Sequence, residues 1–374
     1  MIKILYVIST LANTGPVNQL YNLVKNIDKN KFKIEILTLS KEGTNSRIKE
    51  FTNIDIEIHS INIPHKKIHF YKKPFLYSIN HILPNIVHSH GIRADFFNSL
   101  LSGSKKDIIK FTTVHNIPHE DYPDEYGVLL GMIMARNHLR YIKKIDYPVA
   151  CSKSVKEMLR EKHRIDTYAI CNSADEEKFS CSENFSKGIY REKLNLGKDK
   201  IIYICVGGLI KRKNVEYLVN AFNNLNENYQ LLVLGDGHLK HKLKKKSSNN
   251  IFFLGRQDNV RDYLLASDVF VSSSLSEGMP TAVLEAMACG LPVLLSDIPV
   301  HREIIDKNPF IGDLFSLSDR DDLINKIKAY SSKDIIEEKS KASVDTFNKY
   351  FTSKRMTEEY TKLYENAIKE KNSA

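Results

Sequence analysis

Ser276-Glu277-Gly278-Met279-Pro280-Thr281-Ala282-Val283-Leu284-Glu285-Ala286-Met287-Ala288-Cys289-Gly290 places two acids eight positions apart across the start of a helix. The apolar run Asp268-Val269-Phe270-Val271-Ser272 ahead of it predicts a buried strand, and Pro280 suits the first helical turn, where a missing N–H costs nothing. Strand, loop and helix follow in that order. Glu277 then lies on the loop and Glu285 about a turn and a half into the helix, while N–H groups near Gly278 and Met279 point at an anion. The same spacing is compatible with a capping Glu277 and a solvated or paired Glu285. Leu284, Ala286, Met287 and Ala288 surround Glu285 with apolar or small groups, where a carboxylate needs a partner.

Working outward, apolar runs alternate with helical patterns along the whole chain. Strands are predicted at Lys3 to Ile8, Lys33 to Leu39, Ile54 to Ile58, Ile86 to His88, Ile109 to Val114 and Tyr147 to Cys151, with a helix from about Val17 to Ile27. A long amphipathic stretch, Tyr126 to Lys144, reads as one helix whose Met and Leu residues belong to the core. After Phe179 a polar passage without periodicity runs to about Lys187, and the alternation restarts at Lys200 to Gly207. Further strands are predicted at Tyr229 to Leu234, Ile251 to Leu254, Asp268 to Ser272 and Pro292 to Ser296. The fold class is therefore α/β, with two doubly wound Rossmann-like domains facing a central cleft. The expected domains are residues 1–186, residues 187–350, and a C-terminal helix, 351–374, that crosses back to the N-terminal domain.

A chain of 374 residues is long enough for two cores. No apolar run approaches the roughly 20 residues that span a bilayer. The N-terminus opens directly into a strand pattern without a cleavable signal, so a cytoplasmic protein is expected. Five cysteines, Cys151, Cys171, Cys181, Cys205 and Cys289, form no Cys-x-x-Cys pair and suggest neither a disulfide framework nor a zinc site. The net charge of +10 is concentrated in the first half. There, His65-Lys66-Lys67-Ile68-His69-Phe70-Tyr71-Lys72-Lys73 interleaves cations with aromatic and aliphatic groups, as suits anionic lipid headgroups or a pyrophosphate-bearing acceptor; charge alone would also attract nucleic acid, which is not expected as a partner. Lys240 to Lys246 reads as a solvated helix end.

Several strand ends carry candidate chemistry. Gly207-Gly208-Leu209-Ile210-Lys211-Arg212-Lys213-Asn214 follows a strand and precedes a helix, so backbone can approach a diphosphate closely while Arg212 and Lys213 supply cations; solvated loop lysines are the plain alternative. Thr14-Gly15-Pro16 stands after the first strand, either as an ordinary tight turn or as an N–H donor to the same phosphates. Gly235-Asp236-Gly237 lacks the third glycine of a dinucleotide fingerprint and reads as a turn close to the nucleotide. His115 and the pair His88 and His90 end strands of the first domain, as satisfied polar groups or as part of a site. No Ser/His/Asp set and no metal-ligand spacing appears, which argues against hydrolytic and metal-dependent chemistry.

Together these residues resemble glycosyltransferase family 4, retaining enzymes of the GT-B fold and common in bacterial surface-polysaccharide synthesis. The resemblance covers nearly the whole chain, and its most specific part is Glu277 to Gly290 with Leu291-Pro292-Val293, similar to the family's Glu-x7-Glu segment. It implies that Glu277 holds hydroxyls of a donor sugar, that Gly278 and Met279 meet the sugar or phosphates, and that Glu285 grips the ribose. Lys213, helped by Arg212, would neutralise the departing diphosphate without a metal; Gly15 would approach that diphosphate, Arg256 would border the base, and His115 would face sugar and acceptor. Two departures stand out: Gly208 occupies a position where many members have Arg, leaving Arg212 to supply that cation, and Asn172-Ser173 replaces the commoner Asn-Gly.

The function implied is transfer of a hexose or N-acetylhexosamine from a nucleotide sugar, UDP-linked in most members, to a glycan precursor, with no cofactor beyond the donor. The acceptor would be a glycan or polyprenyl-diphosphate-linked glycan, and the enzyme would sit peripherally on the inner face of the plasma membrane against an anionic surface. Two other readings stay open, a nucleotide-sugar epimerase of the same fold and a non-catalytic glycan-binding subunit.

Overall fold

The computed structural model describes residues 1–64, 68–101, 108–181 and 186–373. Residues 65–67 of the basic run 65–73, and the side chains of 65–69, therefore lie outside the described residues. Contacts divide the chain into two compact units, one of residues 1–172 with the chain from Ser353 onward, the other Ser173–Thr352.

The first unit is built on seven strands, β1 (Ile2–Ile8), β2 (Phe32–Thr38), β3 (Glu57–Ser60), β4 (Ile86–His90), β5 (Ile109–Val114), β6 (Tyr147–Ala150) and β7 (Tyr168–Ala169). All pair in parallel in the order β3-β2-β1-β4-β5-β6-β7. A parallel sheet covered by helices on both faces needs apolar groups on both, and β1 supplies them. Ile4, Tyr6 and Ile8 enter one core, while Leu5 and Val7 enter the other. The first of these cores is closed by the last helix, Ser353–Ser373, whose Met356, Tyr360, Tyr364 and Ala367 fall on one face at helical spacing. Its entry is pinned where Asn26 donates to Ser353 Oγ at 2.8 Å.

The second unit contains β8 (Ile201–Val206), β9 (Tyr229–Leu234), β10 (Ile251–Gly255), β11 (Val269–Ser272), β12 (Val293–Ser296) and β13 (Gly312–Phe315), again all parallel, in the order β10-β9-β8-β11-β12-β13. Each sheet is thus doubly wound. The direction of winding reverses between β1 and β4 in one unit and between β8 and β11 in the other, and it is at such a switch point that loops part to leave room for a ligand.

Two local expectations are corrected. The strand expected at Ile54 to Ile58 begins later, at Glu57, because Asp55 adopts a left-handed conformation (φ 58°) within a turn over 53–55. The stretch Tyr126 to Lys144 is not one helix with a buried Met and Leu face. Gly127, at φ 83°, separates the helix Pro118–Tyr126 from the helix Val128–Ile142. The second of these packs through Gly131, Ala135, His138, Leu139 and Ile142. A Cβ on Gly131 would lie 2.4 Å from the backbone of Pro123, so the two helices touch at a residue without a side chain. That choice of face turns Val128 and Leu129 outward, 74% and 79% exposed, with Leu130, Met132 and Ile133 also exposed.

All five cysteines are free thiols. Among the described residues no helix is long and apolar enough to cross a membrane.

Candidate active site

The switch point of the second sheet gathers the loop after β8 and the loop after β11. The first loop turns through Gly207-Gly208-Leu209-Ile210 into a short 3-10 turn, Lys211–Lys213, before Asn214 at φ 50° admits the helix Val215–Phe222. It lies tightly against the end of β9, since a Cβ on Gly235 would stand 1.9 Å from the Gly207 carbonyl oxygen. Gly235 therefore serves close approach of backbone, at φ 133°.

The second loop carries Glu277. Its carboxylate is buried, yet it is ionised because both cations of the first loop converge on it. Lys213 Nζ donates to Oε1, Arg212 Nη1 donates to Oε2 at 2.8 Å, and Ser274 Oγ donates to Oε1 at 2.7 Å. Burial would raise the pKa; Lys213 and Arg212 outweigh it and hold Glu277 at about 2. Arg212 Nη1 also donates to the Ser276 carbonyl at 2.8 Å, and Leu275 N to the Arg212 carbonyl at 2.8 Å, which ties the two loops together. Two cations share one carboxylate, so the trio keeps a net charge of +1 at the end of the sheet.

Behind the trio stands a layer that the sequence pattern did not single out. Ser296 Oγ donates to the Ser274 carbonyl at 2.7 Å, and His301 Nδ1 lies 2.8 Å from the Ser296 carbonyl. His301 is fully buried and its pKa is pushed down to about 4, chiefly by that burial, so the ring is neutral and Nδ1 is the donor. The only sequence signal for this support is the serine run Ser272-Ser273-Ser274 at the end of a buried strand.

Gly278 and Met279, both buried, follow Glu277 directly and precede the helix Thr281–Ala288, with Pro280 at its N-cap. Glu285 is the fifth residue of that helix. It is half-buried and its carboxylate makes no hydrogen bond or ion pair among the described residues; burial pushes its pKa up to about 7, with Lys178 opposing. Arg256 is exposed just beyond β10, the edge strand, and is not brought into contact with Glu277. A small cavity beneath the trio, lined by Cys205, Phe270, Ser274 and Val283 among others, has room for about one water molecule and forms the floor of the site.

Gly15 and His115 belong to the first unit. Gly15 opens the helix Gly15–Asn26 and a Cβ there would meet nothing within 4 Å. His115 follows β5, and its Nε2 lies 2.8 Å from His90 Nδ1, the two rings stacked. Behind them His88 bridges Tyr364 OH (2.6 Å) and Thr113 Oγ1 (2.9 Å). Burial lowers the pKa of His115 to about 4 and that of His88 to about 3, so both rings are neutral near pH 7.

A family model described as Glycosyl transferases group 1 matches residues 186–367, and one described as Glycosyltransferase Family 4 matches residues 14–178. The chain belongs to glycosyltransferase family 4. The O-antigen biosynthesis glycosyltransferase WclY of Escherichia coli is 27% identical to this family member over 374 residues, covering 98% of this chain and 99% of its own. The UDP-Gal:alpha-D-GlcNAc-diphosphoundecaprenol alpha-1,3-galactosyltransferase of Escherichia coli is 34% identical over 199 residues, half of each chain. Among solved structures, HepE of Anabaena in complex with UDP-glucose matches with a TM-score of 0.83 at 14% identity, covering 98% of this chain and all of its own. A glycosyltransferase of Rickettsia africae matches with a TM-score of 0.78 at 20% identity, over 98% and 99%. The last two likenesses are of fold, the GT-B fold of two Rossmann-like domains.

Proposed function

We propose that the chain is a retaining, metal-independent glycosyltransferase that moves a hexose or N-acetylhexosamine from a UDP-sugar to a hydroxyl of a lipid-linked glycan precursor in surface-polysaccharide synthesis. The observation that carries this reading is the Lys213–Glu277–Arg212 trio at the switch point of the second sheet. A diphosphate brings negative charge to a group holding a net positive one, and sugar hydroxyls can take over acceptor positions on Glu277 that Lys213 occupies. As the sugar–phosphate bond breaks, charge grows on the leaving oxygen, and Lys213 and Arg212 stabilise it in place of a metal. On these loops and the helix Thr281–Ala288 only Glu277 and Glu285 offer carboxylates, and Glu277 is already neutralised by its cations. This favours a front-face substitution in which the departing phosphate takes the acceptor's proton. Gly278 and Met279 contribute to the sugar and phosphate side, Arg256 to the base, and Gly15 and His115 keep the roles that the family resemblance gives them. The relatives' names, O-antigen synthesis in one and a diphosphoundecaprenol acceptor in another, support the proposed pathway and acceptor class.

Transfer of radiolabelled sugar from UDP-sugars to lipid-linked acceptors tests the reading. Label recovered in the lipid product supports it, whereas free sugar and UDP in the absence of any acceptor favour an epimerase.

Glu285 makes the donor step pH-dependent. Ionised, it accepts from two ribose hydroxyls; protonated, it loses acceptor capacity. With its pKa at about 7, the donor KM is expected to rise severalfold as the pH falls from about 7.5 to about 6, and Glu285→Gln should flatten that dependence. The sign for stability is opposite. A carboxyl raised from 4.5 favours the fold fully below about 4.5 and loses that contribution as the pH rises through about 7, so Glu285→Gln should raise Tm at about pH 8.

We place the enzyme peripherally on the inner face of the plasma membrane. The exposed apolar start of the helix Val128–Ile142 supports this, since its outer face continues into exposed Arg136, Arg140, Lys143 and Lys144. Replacing Val128 and Leu129 together by Ser is expected to weaken partition onto phosphatidylglycerol vesicles about 10- to 100-fold, as partial burial of two aliphatic side chains at the interface implies. Unchanged flotation with the vesicles would remove this helix from the membrane contact.

A further inference from the structure

The switch point of the first sheet holds a cation that its own unit does not satisfy. Arg93 stands three residues beyond β4, in the first turn of the helix Ile92–Ser99, and β4 is the strand that meets β1 where the winding reverses. Its guanidinium is half-buried, and desolvation lowers its pKa. Its partners are neutral: Nη1 donates to Ser40 Oγ at 2.6 Å, and Nη2 reaches the Ile63 carbonyl only at 3.5 Å. Nε is buried without a partner, and no carboxylate pairs with Arg93 among the described residues. The neighbouring acid does not serve it, because Asp95 is committed to Ser89, Thr112 and His138 at 2.6–2.7 Å. On the same strand end the fully buried His90 leaves Nε2 unpartnered, and Gly91, at φ 88°, faces open space.

A half-buried arginine held by neutral groups, with Nε buried and unpartnered, keeps its charge and donor capacity for an anion. Its planar fork can take a phosphate bidentately, as it can a carboxylate, and the end of a parallel sheet at its switch point is where an incoming phosphate is received. We propose that Arg93 anchors the phosphate or diphosphate of the acceptor. This rests on the reading of the chain as a transferase acting on a lipid-linked glycan, and it adds the residue that recognises the acceptor's charged linker.

The test uses the full chain with UDP saturating the donor site, so that inorganic pyrophosphate added afterwards reports a second anion site. Calorimetric titration should show pyrophosphate binding to the wild type, weakened about 10- to 100-fold in Arg93→Gln and less in Arg93→Lys, which keeps the charge but not the fork. UDP affinity should stay within about twofold in both. A wild type that binds no pyrophosphate once UDP is bound overturns the proposal, as does Arg93→Gln binding it equally. If Arg93→Gln does not fold, Arg93→Lys carries the test, and affinity equal to wild type overturns the proposal. A parallel arm measures phosphatidylglycerol vesicles. Loss of vesicle binding with pyrophosphate binding intact would make the ligand a lipid headgroup and overturn the acceptor assignment. UDP itself failing to bind would sink the donor-site reading, while the pyrophosphate titration would still report on Arg93.

Discussion

Lys213→Ala is expected to lower kcat about 100- to 1000-fold while leaving the fold intact, the size of effect seen when one group that stabilises developing negative charge is removed. The structure explains why activity and stability should separate. Without Lys213, the Glu277 carboxylate keeps Arg212 at 2.8 Å and Ser274 at 2.7 Å, so the buried acid retains a counter-ion. Its pKa should rise from about 2 but stay below neutrality. In the transition state the loss is larger, because Arg212 is also shared with Glu277 and the Ser276 carbonyl and cannot by itself replace the charge that Lys213 brings to the leaving oxygen. Rapid-quench measurement of transfer beside a melting curve checks both halves. Turnover within about threefold of wild type would remove Lys213 from the chemistry.

Glu277→Ala has the second large effect, and here activity and stability fall together. The donor loses its hydroxyl acceptor, and Lys213 and Arg212 face each other without the carboxylate that neutralised them. Breaking a buried ion pair by deleting one partner costs about 3–5 kcal/mol; both cations are partly exposed, so about 2–3 kcal/mol is expected. Glu277→Gln keeps the shape and one acceptor oxygen, and should lose transfer about 100-fold with a smaller drop in stability. The pH dependence follows the same pair. Glu277 is lowered from 4.5 to about 2, so its contribution to stability is fully present above about 4.5 and is lost as the pH falls towards about 2. Acid unfolding of Glu277→Gln should lack that component. Parallel denaturation curves at about pH 3 and about pH 7 measure it, and equal losses at both would contradict the ion-pair assignment.

Much of this arrangement was legible in the sequence, for physical reasons that can be named. The runs around Ile4, Ile36, Val233 and Val271 are apolar on both faces, as strands covered by helices on two sides must be, and they gave the two doubly wound sheets. Pro280 and the buried run before it located the loop of Glu277, and glycines before Lys213 marked its loop as a strand-end turn. What spacing could not show was that Lys213 and Arg212 meet Glu277 across 64 and 65 residues of chain, a pairing made by β8 lying beside β11. Ser296 and His301 were invisible for a similar reason, since a serine and a histidine acquire meaning only from the carbonyls they touch. The helix after Gly127 misled because its apolar residues exceed what one face can bury; periodicity does not reveal which of two apolar faces the neighbours choose. Arg93 carries no motif at all, and only its unpartnered Nε and the lack of a carboxylate partner among the described residues draw attention to it.

The central claim is that the loops after β8 and β11 hold a nucleotide sugar through Lys213, Arg212 and Glu277. A crystal structure with a UDP-sugar bound tests it most directly. The expected result places the diphosphate within hydrogen-bond reach of Lys213 Nζ and the guanidinium of Arg212, with sugar hydroxyls on Glu277 and the ribose on Glu285. A donor bound elsewhere, with the Lys213–Glu277 pair unchanged, would contradict it.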